Sequence, residues 1–162
     1  TVLGSIQPDF IYGFSSIVNY KRFDFQAVFG GTYGNEVYNM LRRYLERTGD
    51  AYNMSTTVLD AWTEDNPSTT VPHINSAKIT RPDSRYIEDA SFLKLRNLTI
   101  GYSIPAIRPN SEYAFNFRFF VSARNLYTWT KYRGYDPEVA NGVDLGVYPT
   151  ARSFLFGASL TF

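Results

Sequence analysis

The sequence predicts an all-β fold with minor α, in which five antiparallel strands form part of a transmembrane β-barrel. Three observations support this prediction. Apolar and polar residues alternate with a period of two over long stretches, which is typical of strands with one apolar and one polar face. Aromatic residues make up 17% of the 162 residues, whereas charged residues make up only 19%. The connections between the alternating stretches are long and short in turn, as in outer-membrane barrels.

The composition argues against several classes of function. The formal net charge is +1, which gives no support for a nucleic-acid binder. There is no cysteine and one histidine, His73, so disulfides, thiolate metal sites and histidine-based catalysis lack their side chains. Asp136, Glu138 and Asp144 lie in one loop without the spacing of a calcium-binding loop. We therefore predict no catalytic residue, no metal site and no cofactor, and the chain is not expected to be an enzyme.

The clearest strand is predicted over residues 113–129. Its odd positions, such as Phe117 and Phe119, are mostly apolar, and its even positions are mostly polar. A strand of about 9–11 residues crosses a bilayer, so this pattern is long enough to cross it. We interpret the apolar positions as facing lipid and the polar positions as facing the barrel lumen.

The same alternation predicts three strands before it. Residues 10–20 and 23–33 are separated by only two residues, which predicts a tight antiparallel hairpin. Residues 92–104 change phase near Asn97, and a β-bulge explains that change. Residues 105–112 are then a short connection to the next strand.

The last strand is predicted over residues 152–162. Four of its apolar residues fall on one face and resemble the C-terminal signal by which outer-membrane barrels are recognised for assembly: Phe154, Phe156, Leu160 and Phe162. Truncation in mid-strand is the alternative explanation for an aromatic final residue.

Helical spacing of apolar residues predicts one amphipathic helix over residues 35–48, with Asn35 as its N-cap. A shorter helix is predicted from residue 57 to about residue 63. The polar, proline-interrupted stretch 67–89 is predicted as loop.

The connections predict a direction for each strand. Long loops lie outside the cell and short turns lie in the periplasm in such barrels. The loops at about 34–91 and 130–151 are therefore predicted to be extracellular, and Phe162 to lie at the periplasmic end.

The chain resembles the C-terminal part of a SusC/RagA-type TonB-linked outer-membrane transporter of the Bacteroidota. The stretches that carry the resemblance are QPDF (7–10) with GF (13–14), GNEVYN (34–39), IEDASFLKLRNLTIGY (87–102), SARNL (122–126), GYDPE (134–138) and YPTAR (148–152). It implies a barrel of about 22 strands, of which these are the last five. The N-terminal plug domain and most of the barrel would be absent from these residues.

The same resemblance implies a function and partners. Family members import oligosaccharides or oligopeptides, driven by the TonB complex, and pair with a SusD-like surface lipoprotein. The chain would contact this lipoprotein, outer-membrane lipid, and the remainder of its own barrel and plug. It would meet the TonB complex only through the missing N-terminal part.

The polar positions of the strands supply the candidate lumen-facing residues, which are Asp24, Gln26, Asn116, Arg118 and Arg124. The two arginines are six residues apart and point to the same face. They could contact or steer an anionic substrate in the lumen. Alternatively, they could form structural salt bridges to neighbouring strands, for example to Asp24, or to the plug.

The long loop supplies the candidate partner-contact residues, which are Tyr38, Met40, Leu41, Tyr44 and Trp62. Their apolar surface could dock on the lipoprotein or pack against the rim of the barrel.

Two other classes of protein could show some of these sequence features. A soluble, aromatic-rich carbohydrate-binding β-module would explain the aromatic residues as a sugar platform, but it predicts shorter strands. A small autonomous barrel of eight strands has about this length, but the connection of some 58 residues between two strands leaves too few residues for it.

Overall fold

The computed structural model describes residues 3–47, 53–68, 70–74, 83–110 and 113–161. They belong to two compact units. The first, which we call the sheet unit, comprises Pro8–Gly34, Ser91–Lys131 and Pro149–Phe162. The second, which we call the loop unit, comprises Thr1–Gln7, Asn35–Ala90 and Tyr132–Tyr148.

Strands dominate both units. In chain order they are β1 (Phe10–Tyr20), β2 (Phe23–Tyr33), β3 (Glu36–Asn39), β4 (Ile87–Asp89), β5 (Phe92–Asn110), β6 (Tyr113–Thr130), β7 (Val143–Asp144) and β8 (Ser153–Thr161). One α-helix, α1, spans Met40–Glu46. No helix in the described ranges is long and apolar enough to cross a membrane.

The sheet unit contains one five-stranded sheet in the order β1-β2-β5-β6-β8, in which each neighbouring pair is antiparallel. β1 and β2 form a hairpin in which Tyr20 pairs with Phe23. Long alternating sequences form this sheet because period-two alternation gives each strand two chemically different faces. β1 and β8 are its edges, and each has one neighbour among the described residues.

β5 is longer than the sequence predicts. The prediction ended this strand at Ile104, but β5 runs to Asn110, so most of the connection predicted over 105–112 is strand. Pro105 has no amide hydrogen for a ladder hydrogen bond, and proline therefore usually ends or interrupts a strand. Here the register between β5 and β6 shifts between Ile104 and Ile107, which accommodates the proline within the strand.

The predicted bulge near Asn97 is present at the adjacent residue. β2 pairs through Val28 with Asn97 and through Phe29 with Leu95, so Arg96 is the extra residue on β5. The bulge explains the phase change in the sequence, because one inserted residue moves the apolar positions from odd to even numbers.

β6 has its own irregularity opposite the bulge. Asn125 adopts a φ of 52°, in the left-handed region that asparagine tolerates better than most residues. Its Nδ2 donates a hydrogen bond to the carbonyl oxygen of Ala151 at 3.2 Å. Asn125 therefore absorbs the register change on β6 and ties that strand to the segment before β8.

Two glycines of the sheet are covered by aromatic rings. Tyr12 crosses Gly31 and donates from its hydroxyl to the carbonyl oxygen of Phe92 at 3.0 Å. Phe120 lies over Gly157 on β8, where an added Cβ would run into the ring. In both places the missing side chain leaves the space that a ring from the neighbouring strand fills.

The loop unit is organised by a small mixed sheet in the order β4-β3-β7. β3 pairs antiparallel with β4 and parallel with β7. Its buried core is formed by Val37, Ala90 and Tyr132, with Val139 packed against it. Polar side chains such as Asn39 and Asp144 are buried as well, and they need hydrogen-bond partners because an unpaired buried polar group costs free energy.

The helix predicted over residues 35–48 is wrong in its first half. Residues Glu36–Asn39 form β3, and α1 spans only Met40–Glu46. Asn39, rather than Asn35, is the N-cap, and its Oδ1 accepts a hydrogen bond from the Arg42 amide at 2.8 Å. Pairing with β4 and β7 overrides the local helical pattern, which no single-sequence periodicity could reveal.

The other loop predictions also need correction. The helix predicted over 57–63 is a short 3₁₀-helix, Thr56–Asp60, capped by Ser55, so Trp62 lies beyond its end. The stretch 67–89 was predicted as loop throughout, but it contains a 3₁₀ turn at Ser84–Tyr86 and the strand β4.

Candidate functional site: the two faces of the sheet

The pairing register assigns every strand residue of the sheet unit to one of two faces. Residues directly opposite each other in a β-ladder share a face. One face, which we call the apolar face, is continuous across all five strands. It comprises Phe10, Tyr12, Phe14, Ser16, Val18, Tyr20, Phe23, Phe25, Ala27, Phe29, Gly31, Tyr33, Leu93, Leu95, Leu98, Ile100, Tyr102, Ile104, Phe117, Phe119, Val121, Ala123, Tyr127, Trp129, Phe154, Phe156, Ala158 and Leu160.

The apolar face carries no charged side chain at these positions. Many of its large residues are nevertheless exposed, including Phe156 at 73% and Phe154 at 60%. A water-facing surface of this size and composition would be a severe aggregation hazard. Its chemistry is that of a surface that contacts lipid.

The opposite face, which we call the polar face, carries all five of the candidate residues predicted from the alternation. The register places Asp24, Gln26, Asn116, Arg118 and Arg124 there. The face also has apolar members at the sheet edges, such as Ile11 and Leu155. The structure brings two of the five together, Asp24 and Arg118.

Asp24 and Arg118 form a two-point ion pair across the sheet. Arg118 Nη2 lies 2.5 Å from Asp24 Oδ2, and Nε donates to Oδ1 at 2.9 Å. The pair reaches over β5 at Gly101, where an added Cβ would collide with the Asp24 carboxylate. The Arg118 guanidinium also lies 5.1 Å from the centroid of the Phe120 ring. This is the salt bridge proposed from the sequence, and it ties β2 to β6.

A second polar cluster lies further along the same face. Thr99 donates to the Ser122 hydroxyl at 2.9 Å, Ser122 donates to Asn97 Oδ1 at 3.1 Å, and Asn97 Nδ2 donates to Thr99 at 3.3 Å. Sequence analysis missed this closed cluster. Alternation placed its members on one face, but only the register, shifted by the bulge, shows that they touch.

Lys94 was also missed. It is only 2% exposed, although lysine is rarely buried. Its Nζ donates to the Thr150 hydroxyl at 3.3 Å and lies 5.7 Å from the Phe92 ring centroid. The burial of this charge depends on a residue 56 positions away, so no local pattern could have indicated it.

Arg124 has different surroundings from Arg118. It is exposed, and its cross-strand neighbours are Asn97 on β5 and Ser153 on β8. Both neighbours are neutral. The structure therefore does not join Arg124 to the Asp24–Arg118 pair.

The candidate partner-contact residues divide into two groups within the loop unit. Tyr38 lies in β3 rather than in the helix, and its ring meets the edge of Tyr86 with the centroids 6.4 Å apart. Met40 and Leu41 are half-buried on α1. Tyr44 and Trp62 are exposed. Of the five candidates, Tyr44 is the most exposed at 57%, and Trp62 follows at 39%.

An arginine-centred cluster holds α1 to the rest of the loop unit. Arg42 Nε lies 2.6 Å from Glu46 Oε1, and its Nη1 lies 2.8 Å from Glu88 Oε1. Glu88 in turn accepts a hydrogen bond from the Arg133 amide at 3.0 Å. Burial alone would lower the pKa of Arg42, but the hydrogen bonds to both glutamates outweigh it and raise that pKa.

A buried aspartate fixes the loop between β7 and the sheet unit. Asp144 is completely buried. Its carboxylate accepts hydrogen bonds from the Tyr132 hydroxyl at 2.7 Å and from the amides of Gly146 and Val147 at 2.8 and 3.0 Å. Burial, followed by the hydrogen bond to Asp144, raises the pKa of Tyr132 well above its ordinary range.

The predicted assembly residues lie on β8. Phe154, Phe156 and Leu160 share the apolar face, opposite Ala123, Val121 and Phe117. Phe162 falls outside the described residues. Among the residues that the structure describes, no three His, Cys, Asp or Glu side chains are grouped so that they could hold a metal ion.

No protein-family model matches the chain. Curated relatives do match it. A TonB-dependent receptor, P26, of Formosa agariphila is 33% identical over 99% of the chain, and the TonB-dependent receptor SusC of Bacteroides thetaiotaomicron is 30% identical over 95% of it. The chain spans only 18% and 15% of the lengths of these two relatives.

Solved structures give the same result. The RagAB peptide importer in its open-open state matches 98% of the chain with a TM-score of 0.84 and 33% identity. Its closed-closed state matches 99% with a TM-score of 0.87. The chain spans 18% of the length of the matched chain in each structure.

These relatives are named as receptors and as a peptide importer, not as enzymes. Sequence identity over nearly the whole chain and a matching fold lead to one conclusion. The chain belongs to the SusC/RagA-type TonB-dependent receptors of the Bacteroidota outer membrane.

Proposed function

We propose that the chain forms part of the barrel wall of a TonB-dependent importer that takes up oligosaccharides or oligopeptides across the outer membrane. The observation that carries the proposal is the division of one sheet into an uncharged apolar face and a face with all the described strand charges. Such a sheet can face lipid on one side and an aqueous passage on the other. The relatives, which are receptors and a peptide importer, support the same activity.

The proposal includes a direction for the chain. Residues 34–91 and 130–151 would lie outside the cell, and the short turns that join β1 to β2 and β5 to β6 would lie on the periplasmic side. Support comes from the loop unit, because a folded sheet, helix and buried polar cluster suit an aqueous compartment rather than lipid.

A SusD-like surface lipoprotein is the proposed partner of the loop unit. The exposed Tyr44 and Trp62 supply aromatic surface of the kind that is enriched at interfaces. The remaining barrel strands would pair with the edges β1 and β8, since a membrane sheet cannot leave its edge amides unpaired. The plug and the TonB complex would be reached through parts of the protein outside this chain.

The soluble carbohydrate-binding module is the weaker alternative. It would have to expose the apolar face to water, with residues such as Phe156 and Phe154 on its surface. A carbohydrate platform needs a few aromatic rings rather than an uncharged face that runs across five strands.

Cysteine labelling in intact cells would test the orientation. In the complete receptor, Trp62→Cys should react with a membrane-impermeant maleimide, whereas Val121→Cys on the apolar face should stay unlabelled. Equal labelling at both positions would contradict the proposed arrangement.

Uptake assays would test the activity. Cells that carry the complete receptor and its lipoprotein should accumulate a labelled oligosaccharide or oligopeptide, and removing the proton-motive force should stop this. Uptake of neither class, by a receptor that is present at the cell surface, would refute the proposed import.

A further inference from the structure

We propose that the polar face selects for anionic substrates and that Arg124 is the residue chiefly responsible. This inference rests on the proposed import function, because it names the substrate chemistry that the passage favours. It is carried by the charges of one face and by the different surroundings of Arg118, which is half-buried, and Arg124, which is exposed.

The polar face has an excess of positive charge. Its described charged side chains are four cations, Lys94, Arg96, Arg118 and Arg124, and one anion, Asp24. Arg96 is the extra residue of the bulge, so the register does not assign it to a face. Its side chain covers Gly30, which belongs to the polar face, and an added Cβ at Gly30 would lie 2.7 Å from Arg96 Nε. The excess is therefore three positive charges within one side of the sheet.

Two of these cations are engaged in ways that limit contact with a substrate. Arg118 is held by Asp24 in the two-point ion pair, which cancels its charge locally. Lys94 is only 2% exposed. A substrate that moves along the face would therefore feel these two groups less strongly than an exposed cation without a carboxylate beside it.

Arg96 is exposed as well, but it makes an interaction of its own. Arg124 is an exposed cation without a carboxylate beside it. Across β5 it faces Asn97, across β8 it faces Ser153, and its same-face neighbour on β6 is Ser122. None of these side chains is acidic, and no ion pair to Arg124 is found among the described residues. Its guanidinium can therefore bind a carboxylate or similar anion at two points.

The physical setting strengthens the effect. In a passage with low-dielectric walls, charges of one sign focus the field and raise the local concentration of ligands of opposite sign. Arginine and lysine in a pore wall favour anions for this reason. An anionic oligomer should therefore be preferred over a neutral one of the same length.

The test compares matched probes in the complete receptor with its lipoprotein in the outer membrane. One pair is a glutamate-rich and a glutamine-rich peptide of equal length, and the other is a uronic-acid and a neutral oligosaccharide of equal length. Wild-type receptor should take up the anionic member of the transported pair faster. Arg124→Gln should reduce uptake of that member by about tenfold, while the neutral member changes by less than about twofold.

Two further variants control for structure. Arg124→Lys keeps the charge and should keep most of the preference. The double variant Asp24→Asn/Arg118→Gln removes two charges that cancel each other, so it should leave the ratio of anionic to neutral uptake near the wild-type value. Higher ionic strength should shrink the wild-type preference, because salt screens exposed charges.

Three outcomes would overturn the inference. The ratio could stay unchanged in Arg124→Gln, or uptake of both probes could fall equally, as expected if Arg124 pairs with another part of the receptor. Wild type could also show no preference. If wild type imports neither member of either pair, the proposed function itself fails, and that result is distinct from a loss of preference.

Discussion

The sheet unit and the loop unit obey different rules of burial. On the apolar face of the sheet unit, large side chains such as Phe156 and Phe154 are exposed at 73% and 60%. In the loop unit, a small core of Val37, Ala90 and Tyr132 is buried together with the carboxylates of Glu46 and Asp144. The difference indicates two solvents, because only a surrounding as apolar as lipid stabilises the first pattern and only water stabilises the second.

The largest effect is expected from a charge placed on the apolar face. Phe119→Lys in the complete receptor should destabilise the inserted barrel by about 2–4 kcal/mol, since a charge near the bilayer midplane faces lipid. Asn116→Lys, three residues away at an exposed position on the polar face, should cost much less. Folding into lipid vesicles, followed by the shift between folded and unfolded bands on a gel, would measure both. Equal losses would mean that the two faces do not differ in solvent.

The loop unit should be most sensitive to the loss of a buried acceptor. Asp144→Ala leaves the Tyr132 hydroxyl and two amides without their partner, at a cost of about 2–3 kcal/mol. Hydrogen exchange in the complete receptor should speed up in the loop unit and remain unchanged in the sheet unit. Asp60→Ala, at an exposed position, is the control and should change neither. Faster exchange throughout the sheet would show that the units are not separate in stability.

Two glycines of the sheet unit should differ in how well they tolerate a side chain. Gly31→Ala would drive a Cβ into the carbonyl oxygen of Phe92 and the Tyr12 ring, and it should destabilise by about 1–3 kcal/mol because backbone must move. Gly101→Ala meets only the ends of the Asp24 and Arg118 side chains, which can turn away at the cost of their ion pair. Denaturant titration of the inserted receptor should rank the two in that order. The reverse order would contradict the packing described here.

The smallest effect concerns alkaline pH. The pKa of Tyr132 is raised in the folded state by burial and by its hydrogen bond to Asp144. The associated stability is fully present below the unfolded pKa of about 10 and falls as the pH rises above it. Proteolysis of the loop unit should therefore accelerate above about pH 10. Tyr132→Phe should weaken this dependence, and the remainder should come from Tyr86, whose pKa is also raised by burial. An unchanged dependence in Tyr132→Phe would assign all of it to other groups.

The sheet was predictable from the sequence because its information is local. Alternation assigns each residue to a face, and all five candidate residues of the polar face follow from it. The ion pair between Asp24 and Arg118 needs more, because the two residues are 94 positions apart and meet only through the register over Gly101. The continuation of β5 beyond Pro105 was hidden for a similar reason, since a register shift accommodates the proline.

The loop unit was predicted less well because its elements are short and held by distant contacts. Val37 fits a helical pattern with Leu41, yet it lies in β3, which is set by pairing with β4 and β7. Strands of two to four residues have too few positions to show a period. The burial of Asp144 likewise depends on Tyr132, which the sequence does not single out.

The ring of Phe120 over Gly157 has a consequence for how this family can evolve. Neither position can change freely. A side chain at position 157 needs a smaller residue at position 120, and the loss of the Phe120 ring leaves a space above Gly157 that a larger residue at 157 could fill. The two sites, 37 positions apart, should therefore be inherited as a pair. Among related receptors, aromatic residues at the first position should accompany glycine at the second, and exceptions should show both sites altered together.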